Sequence, residues 1–322
     1  MQNRDALNNE YIYVIKNGNP SSVNSWKIWR KTERILQKKG LRYYVYNTEY
    51  AGHAKKIAEE ILKNHTTRAI LLVVGGDGTL HEVINGAARF SHAVVACVPA
   101  GSGNDYARGV QKILNIKQVI QLLNEPDVST FNIDLGKMRY MEEDKFFVNS
   151  LGLGFDASIC KVVNESKRKK FFQKWKLGKF IYLYYLFKQL FLFKPFPLHI
   201  EVDGRRNEYN KVWFIVVANQ PYFGGGLKVS PAASINDGKF HVIVVHNIPS
   251  YLFLLVFVTV IWGGHLKMSK WVDAFTCRQI HMVTEKEVPI QADGEVIGHS
   301  EVLAKVAPKK LKVISKDSRR KM

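Results

Sequence analysis

Two apolar runs, each followed at once by a glycine-rich turn, constrain the fold of this chain most strongly. Residues 69–74 lead into a Gly-Gly-Asp-Gly-Thr turn at 75–79, and residues 93–98 lead into Pro-Ala-Gly-Ser-Gly-Asn-Asp at 99–105. A run that is apolar at every position is typical of a strand buried on both faces of a parallel sheet. The sequence therefore predicts two neighbouring strands that carry these turns at their carboxyl ends.

The first 125 residues alternate between strand and helix patterns. Further strands are predicted at residues 11–16 and 41–46, and helices at 25–39, 54–63 and 80–89. This alternation predicts an α/β fold class with a doubly wound N-terminal domain at residues 1–127.

The pattern becomes mainly β beyond residue 127. Helices are expected only around residues 156–193 and 250–267. The predicted strands cover residues 131–138, 145–151, 198–202, 212–218, 239–246, 278–284 and 289–292. A chain of 322 residues is long enough for two domains, so residues 128–302 are predicted to form a second, sandwich-like β domain.

The charge of the chain indicates which classes of partner it can bind. The formal net charge is +19, which predicts an anionic partner such as a nucleotide, a nucleic acid or an acidic membrane. The three cysteines are far apart and have neither metal nor redox spacing, which favours a reducing compartment. The apolar stretch at residues 251–262 is shorter than the ~18–20 residues that span a bilayer, and the polar N-terminus does not fit a signal peptide. We expect a soluble or peripheral protein.

The turn at residues 75–79 has the composition of a phosphate-binding loop. Glycines let backbone N–H groups approach phosphate oxygens, and the following helix N-terminus favours negative charge. Asp77 could hold a metal-bound water or a substrate hydroxyl. The alternative is a tight turn in which Asp77 or Thr79 caps the helix.

The second turn, at residues 99–105, could complete a phosphate cradle, or it could be a simple loop capped by Asn104 or Asp105. No Walker-type loop or Gly-x-Ser-x-Gly elbow is present. A Gly-x-Gly match at residues 152–157 lacks the acid that binds ribose, so we treat it as coincidental. Two later Asp-Gly pairs, Asp237-Gly238 and Asp293-Gly294, read locally as plain β-turns.

Taken together, these segments resemble the diacylglycerol kinase catalytic-domain family, in particular the soluble bacterial lipid kinases. Motifs at residues 75–79, 99–105, 230–238 and 293–295 occur in the order and spacing of that family. The resemblance implies a first domain similar to phosphofructokinase and NAD kinase, with a C-terminal return at about 303–322. It also implies ATP-dependent phosphorylation of a hydroxyl on a diacylglycerol-like lipid, with the nucleotide in the first domain and the lipid in the second.

The resemblance also implies roles for individual residues. Glu295 corresponds to the proposed general base, with Asp77 as its rival. Mg²⁺ is expected at Ser234, Asp237 and Lys239, with Asp77 and Asp105 joined through water. The implied nucleotide-binding positions are Asn17, Asn19, Thr48, Gly75, Gly76, Asp77, Gly78, Thr79, Leu80, His81 and Ser102.

Two departures from the family pattern concern the nucleotide positions. The first turn, Asn17-Gly18-Asn19-Pro20, is offset and lacks the glycine that the family has after its proline. Ser102 stands where the family has threonine, and it keeps the hydroxyl. We expect the second change to alter affinity but not the activity.

A basic and aromatic segment at residues 167–188 suits docking on anionic headgroups at the inner face of the cell membrane. The alternative is a helix that covers the core and exposes its lysines to solvent. The residues expected to contact the membrane are Lys169, Lys170, Phe171, Phe172 and Trp175.

Two other functions remain open. A kinase of a soluble substrate, similar to NAD kinase, could use the same glycine turn. A nucleic-acid-binding regulatory protein could use the basic surface, but no nucleic-acid motif is present, and we expect no nucleic-acid partner. A homodimer is one assembly that the chain could form, and the sequence does not name the lipid.

Overall fold

A computed structural model of the chain describes residues 11–18, 23–113, 115–125, 130–165, 184–185, 188–260 and 263–315. The chain divides into two compact units. The N-terminal unit comprises Met1–Asp134 and Pro308–Met322, and the C-terminal unit comprises Leu135–Ala307. The chain passes between the units in the strand that contains Asp134 and again in the last strand.

The N-terminal unit is a parallel sheet with helices between its strands. Its elements are β1 (Ile12–Asn17), α1 (Val23–Lys38), β2 (Tyr43–Thr48), α2 (His53–Lys63), β3 (Ala69–Gly75), α3 (Asp77–Ala87), β4 (Ala93–Pro99), α4 (Asp105–Gly109) and α5 (Ile116–Leu123). The strand order is β2, β1, β3, β4, and the end of the last strand of the chain lies beside β4. The order 2-1-3-4 brings the carboxyl ends of β3 and β4 side by side, as a doubly wound sheet requires.

The core of this unit explains why its strands could be predicted. Every residue of β3 is buried, and so are the first six residues of β4. Side chains of β1, β3 and β4 pack with α1 and α5 in one apolar cluster. Strands buried on both faces need continuous apolar runs, and these are the runs that the sequence shows.

The C-terminal unit is mainly antiparallel β. Its elements are β5 (Phe131–Tyr140), β6 (Glu143–Phe147), β7 (Ser150–Gly154), α6 (Phe155–Glu165), β8 (Phe196–Val202), β9 (Arg205–Ala218), β10 (Phe240–His246), α7 (Ser250–Thr259), a 3₁₀ turn (Gly264–Lys267), β11 (Val272–Cys277), β12 (Gln279–Val283), β13 (Pro289–Ala292), β14 (Glu295–His299) and β15 (Glu301–Val313). The strands β14, β13, β7, β9, β8, β12 and β15 are hydrogen-bonded in that order, and β10 joins β9 to β11.

This antiparallel sheet has an apolar cluster on each of its two faces. Along β9, Ile215 and Val217 belong to one cluster, whereas Val216 and Ala218 belong to the other. The alternation follows from the two-residue period of a strand. The second cluster is completed by side chains of α6 and α7, so both faces are covered.

The observed elements of the C-terminal unit differ from the predicted ones at several strands and at one helix. The strand predicted at residues 145–151 is two strands, β6 and β7, separated at Val148 and Asn149. The strand predicted at 212–218 begins earlier, at Arg205, and β11, β14 and β15 were not predicted as strands. Of the helix predicted at 156–193, α6 and a turn at 188–192 are described, and the residues between them fall largely outside the described ranges.

Candidate active site

The carboxyl ends of β1 and β2 bring two predicted nucleotide-binding residues together. Asn17 pairs in register with Thr48. The N–H of Gly18 donates to Thr48 Oγ1 at 3.5 Å, and a methyl group on Gly18 would overlap the Thr48 carbonyl oxygen. The close approach therefore depends on glycine at position 18. Asn19 lies outside the described residues.

The glycine turn after β3 opens a helix without a side-chain cap. Gly76 is the N-cap residue in an extended conformation, and α3 begins at Asp77. The alternative in which Asp77 or Thr79 serves as the cap is therefore wrong, because both lie in the first turn of the helix. Backbone N–H groups at such a helix start can bind an anion.

The turns after β3 and β4 touch each other through their backbones. The N–H of Ala100 donates to the Gly75 carbonyl at 2.8 Å. A Cβ atom on Gly101 would lie 2.6 Å from the Cα of Gly76. Since no larger residue fits without displacing the other loop, these glycines allow the two turns to form one continuous backbone surface.

Asn104 fixes the shape of the second turn. Its Oδ1 accepts from the Gly101 N–H at 3.0 Å, and its Nδ2 donates to the Gly101 carbonyl at 2.9 Å. Asn104 has a left-handed backbone (φ 57°), which asparagine tolerates better than most residues. Asn104 is also the N-cap residue of α4, but its side chain makes no capping hydrogen bond to that helix. Ser102, at the tip of the turn, is exposed.

Asp77 and Asp105 place two carboxylates close together at these turns. Asp77 Oδ1 accepts from the Tyr106 N–H at 3.3 Å, and Asp105 is buried. Burial and, as a second cause, the negative charge of Asp105 raise the pKa of Asp77 to about 6. A bound cation would offset this repulsion, so the pair suits a cation-assisted phosphate site.

The remaining residues of the first motif have packing roles as well. Leu80 is fully buried, and a Cβ atom on Gly75 would lie 2.9 Å from the Cβ of Thr79. His81 lies one helical turn before Asn85, whose Nδ2 is 3.3 Å from the imidazole Nε2.

Glu82 accepts from the N–H groups of Gly52 and Ala54, at 2.7 and 3.0 Å, and so fixes the start of α2.

In the C-terminal unit, the predicted metal-binding residues lie in one loop before β10. Asp237 Oδ1 accepts from the Lys239 N–H at 3.1 Å, and Asp237 Oδ2 lies 3.4 Å from His241 Nε2. Ser234 Oγ donates to Asn236 Oδ1 at 2.8 Å. Within the described ranges, no group of three or more His, Cys, Asp or Glu side chains could hold a metal. The loop offers oxygen ligands of the kind that Mg²⁺ binds together with water.

Glu295 begins β14, directly after a two-residue hairpin turn. The turn residues Asp293 and Gly294 both have positive φ (52° and 88°), and Ala292 pairs with Glu295 across the hairpin. Such a turn requires left-handed residues, which Asp-Gly supplies. The side chain of Glu295 is exposed and available to a ligand.

Asp293 anchors this turn to another strand region. Its Oδ1 accepts from the N–H groups of Asn149 and Ser150 at 2.7 and 3.2 Å, and its Oδ2 accepts from Val148 at 3.0 Å. Locally this Asp-Gly pair reads as a plain turn, and the anchor could not be predicted because its partners lie more than 140 residues earlier. No local signal could have revealed it.

The Gly-x-Gly match at residues 152–157 is not a dinucleotide-binding unit, as expected. It joins β7 to α6, but β7 is antiparallel to both of its neighbours, β9 and β13. A dinucleotide fingerprint requires parallel strands. Asp156 in this segment nevertheless contacts Gln291, two residues before Asp293, and neither residue was singled out as a site residue.

The five residues expected to contact a membrane, between Lys169 and Trp175, lie outside the described residues. In the part of the chain that the structure describes, no helix combines the length and the apolar character needed to cross a bilayer.

Comparisons with known proteins assign both halves of the chain. Residues 11–138 match the diacylglycerol kinase catalytic domain, and residues 149–315 match the YegS C-terminal NAD kinase beta sandwich-like domain. Both the α/β class of the first unit and the β-sandwich class of the second are thereby confirmed.

Individual relatives agree with these domain matches. The chain is 30% identical to "Putative lipid kinase YtlR" of Bacillus subtilis over 94% of its own length and 98% of that protein. It is 27% identical to a diacylglycerol kinase of Staphylococcus haemolyticus, covering 82% of this chain and 75% of that one.

A solved structure shows the same fold. The "putative diacylglycerol kinase" of Bacillus anthracis superposes with a TM-score of 0.72 at 20% identity, covering 96% of this chain and 98% of that one. The two domain matches and the 30% identical relative span nearly the whole chain. The chain therefore belongs to the diacylglycerol kinase catalytic-domain family and is a phosphotransferase of the kinase type.

Proposed function

We propose that this protein is an ATP-dependent lipid kinase that phosphorylates a hydroxyl of a diacylglycerol-like lipid at a membrane surface. The observation that carries the proposal is the backbone contact between the turns at Gly76 and Gly101 beside the carboxylates of Asp77 and Asp105. It supports phosphate binding next to a cation. The names of the relatives, a lipid kinase and a diacylglycerol kinase, support a lipid as the acceptor.

The N-terminal unit binds the nucleotide in this proposal. Backbone N–H groups of the glycine turn hold the phosphates, and Asn17 and Thr48 contact the nucleotide from the ends of β1 and β2. The remaining residues at the β3 and β4 turns, from Gly75 to His81 and at Ser102, complete the site. Asn19 is proposed as a further contact. Phosphoryl transfer depends mainly on such positioning and on charge neutralisation.

Mg²⁺ neutralises charge on the phosphates when it is bound. In the C-terminal unit, Asp237 would hold it through its carboxylate, and Ser234 and Lys239 would hold it through their backbone carbonyls. In the N-terminal unit, Asp77 and Asp105 are proposed to hold Mg²⁺ through water, which would offset their mutual repulsion.

Glu295 is the proposed general base. The lipid hydroxyl oxygen forms a bond to the γ-phosphorus of ATP, and the bond from that phosphorus to the bridging oxygen breaks, which releases ADP. The hydroxyl proton passes to the Glu295 carboxylate. Such a base contributes typically ~10²–10⁴-fold to the rate. Asp77 is the competing candidate for this role.

A membrane surface suits the exposed apolar residues of the C-terminal unit. Phe191, Leu192 and Tyr251 are 84%, 61% and 79% exposed. Two lysines, Lys188 and Lys194, flank Phe191 and Leu192, and both are exposed. Aromatic groups beside lysines favour an anionic lipid interface, and the net charge of +19 adds to this attraction. This surface complements the predicted membrane contact at residues 169–175, at the inner face of the cell membrane.

The test is a phosphate-transfer assay with ³²P-labelled ATP over a panel of lipids. The panel contains diacylglycerol, a monoacylglycerol, a sphingoid base and a glycolipid in mixed micelles, and the product is identified by mass. We expect a labelled phospholipid only when lipid and Mg²⁺ are both present. Transfer to a soluble acceptor such as NAD⁺, without detergent or lipid, would contradict the proposal and favour the NAD-kinase-like alternative.

Membrane docking has its own measurement. Vesicles of phosphatidylcholine, with and without phosphatidylglycerol, are sedimented with the protein, and Phe191→Ser with Leu192→Ser is compared with the unchanged chain. We expect sedimentation that requires the anionic lipid and falls in the double variant. Equal sedimentation in all cases would reject this docking surface.

A further inference from the structure

Gln291 on β13 connects two parts of the C-terminal unit through its amide group. The side chain is fully buried. Its Nε2 donates to Asp156 Oδ2 at 3.1 Å, and its Oε1 accepts from the Gly294 N–H at 2.8 Å. The amide thus joins a carboxylate at the start of α6 to the residue that directly precedes Glu295.

The neighbouring strand leaves room for this contact. Gln291 pairs in register with Gly152 of β7. A methyl group on Gly152 would overlap the Asp156 carboxylate and would lie 2.5 Å from Gln291 Nε2. Any residue larger than glycine would therefore displace the carboxylate or the amide.

We infer that Asp156 and Gln291 are positioning residues that orient the hairpin turn carrying Glu295. The inference rests on the proposed function, in which Glu295 accepts the proton of the lipid hydroxyl. Neither residue needs to touch the substrate, because both act through the backbone of the turn.

The hydrogen-bonding chemistry of the Asp156 carboxylate and the Gln291 amide determines the orientation of the amide. An ionised carboxylate only accepts hydrogen bonds, whereas an amide donates from one side and accepts on the other. With the carboxylate facing Nε2, the amide oxygen must face the Gly294 N–H. The reversed amide would place two N–H groups against each other and leave the turn unsupported.

The ionisation of Asp156 agrees with this arrangement. Burial raises the pKa of Asp156 to about 6, while the hydrogen bond from Gln291 opposes the rise. At neutral pH the group is therefore a carboxylate in most molecules and presents only acceptors to the amide.

The two residues of the turn are held by different partners. Asp293 is fixed by three backbone N–H groups of residues 148–150, and Gly294 is fixed by Gln291. A general base must lie within hydrogen-bond reach of its proton. A displacement of a base by ~1 Å can lower the rate by ~10²-fold. Loss of the hydrogen bond between Gln291 and Gly294 should therefore reduce turnover even where the hydrogen bonds of Asp293 remain.

If Asp156 and Gln291 had a purely structural role, a different result would be expected. Breaking the pair would then lower stability and leave the turnover of the folded protein unchanged. The experiment must therefore measure kcat and KM on folded protein, together with the melting temperature.

The test uses Gln291→Leu, Gln291→Glu and the double variant Asp156→Asn with Gln291→Glu. Gln291→Leu should lower kcat for lipid phosphorylation by ~10²-fold and leave KM for ATP unchanged. Gln291→Glu places two carboxylates together and should also lose activity. In the double variant, the introduced amide donates to the introduced carboxylate, whose other oxygen accepts from the Gly294 N–H, so kcat should recover towards that of the unchanged chain.

Ile280→Val is the matched control, since Ile280 is a buried residue of β12 in the same unit. It should lower the melting temperature and keep kcat. A folded Gln291→Leu protein with unchanged kcat would overturn the inference. If Gln291→Leu does not fold, the comparison of Gln291→Glu with the double variant decides, and no recovery in the double variant would overturn it.

Glu295→Gln separates this inference from the proposed function. If Glu295→Gln keeps its turnover, the base assignment fails and the positioning inference fails with it. If Glu295→Gln is inactive while Gln291→Leu remains fully active, the base assignment stands and only the positioning inference is wrong.

Discussion

Two Asp-Gly pairs in this protein have similar local sequences and opposite surroundings. Asp77-Gly78 follows a parallel strand and forms the first turn of α3, whereas Asp293-Gly294 forms the tip of an antiparallel hairpin. The Asp77 carboxylate faces the like charge of Asp105, and its pKa rises to about 6. The Asp293 carboxylate accepts three backbone N–H groups.

These surroundings suit Asp77 to binding a ligand and Asp293 to stabilising the fold. A buried carboxylate held against another carboxylate destabilises the fold unless a cation is bound, so the pair of Asp77 and Asp105 suits a bound cation. A carboxylate that satisfies three N–H donors stabilises the fold without any ligand.

The largest effect is expected for Glu295→Gln, which changes the residue two positions after Asp293. Glutamine keeps the size of the side chain but cannot accept the proton, so turnover should fall by ~10²–10⁴-fold. Binding of ATP, measured by calorimetry, should stay normal because the proposed nucleotide contacts lie in the N-terminal unit. A variant that keeps most of its activity would transfer the role of base to Asp77.

Asp77→Asn should separate activity from stability. Asparagine can still accept from the Tyr106 N–H through its carbonyl oxygen, while the repulsion from Asp105 disappears. We expect kcat to fall by ~10²-fold, the order of a lost electrostatic contact in a transition state. The melting temperature should stay equal or rise, and a fall of several degrees would show that Asp77 is a structural residue.

Asp293→Asn should mainly lower the stability of the fold, in contrast to Asp77→Asn. One carbonyl oxygen replaces two carboxylate oxygens, and the new NH₂ group faces a backbone donor. The loss of charge-assisted hydrogen bonds should lower the free energy of unfolding by ~3 kcal/mol. Urea unfolding measures this loss. Turnover per folded molecule should also fall, because the turn carries Glu295, whereas an unchanged unfolding free energy would remove the contrast with Asp77.

Gly101→Ala tests the contact between the two glycine turns. The added Cβ would lie 2.6 Å from the Cα of Gly76, so the loops must separate. Overpacking of this kind costs ~1–3 kcal/mol, and part of it should appear as a higher Kd for ATP. Gly204→Ala, in the turn between β8 and β9, is the comparison variant: it strains a turn with φ 85° but meets no neighbouring atom within 4 Å. Equal ATP affinity in both variants would show that the loop contact does not shape the site.

The smallest expected effect concerns pH. The pKa of Asp156 rises from its ordinary value of 3.8 to about 6 because the group is buried. The folded protein therefore binds this proton more tightly than the unfolded chain, and stability is lost as pH rises through the interval between these values. Asp156→Asn should melt higher relative to the unchanged chain at pH 8 than at pH 4. A difference independent of pH would contradict the raised pKa.

Sequence reasoning was most successful where burial alone determines structure. The runs at β3 and β4 are apolar because both faces of their sheet are covered, so the strands, their turns and the α/β class could be predicted. It failed at Val148 and Asn149, where an apolar run is interrupted. The backbone there donates to Asp293, and no property of the run itself reveals that partner.

In the candidate site, too, some features could be predicted from the sequence and others could not. The glycine turns were recognisable because backbone approach requires glycine at fixed positions. The contact of Gln291 with Asp156 joins residues 135 positions apart, and the Gly-x-Gly motif beside Asp156 resembled a different kind of site. Such pairs depend on strand register, which a single sequence does not specify.

The last strand has a consequence for the order in which the protein is made. β15 begins among the strands of the C-terminal unit, and its end pairs with β4 through Lys312 and Val313. Ser315 then donates to the carbonyls of Val110 and Gln111. During synthesis, the ribosome must therefore release nearly the whole of the second unit before the first sheet receives its final strand. The N-terminal unit therefore becomes complete only when translation has reached these residues.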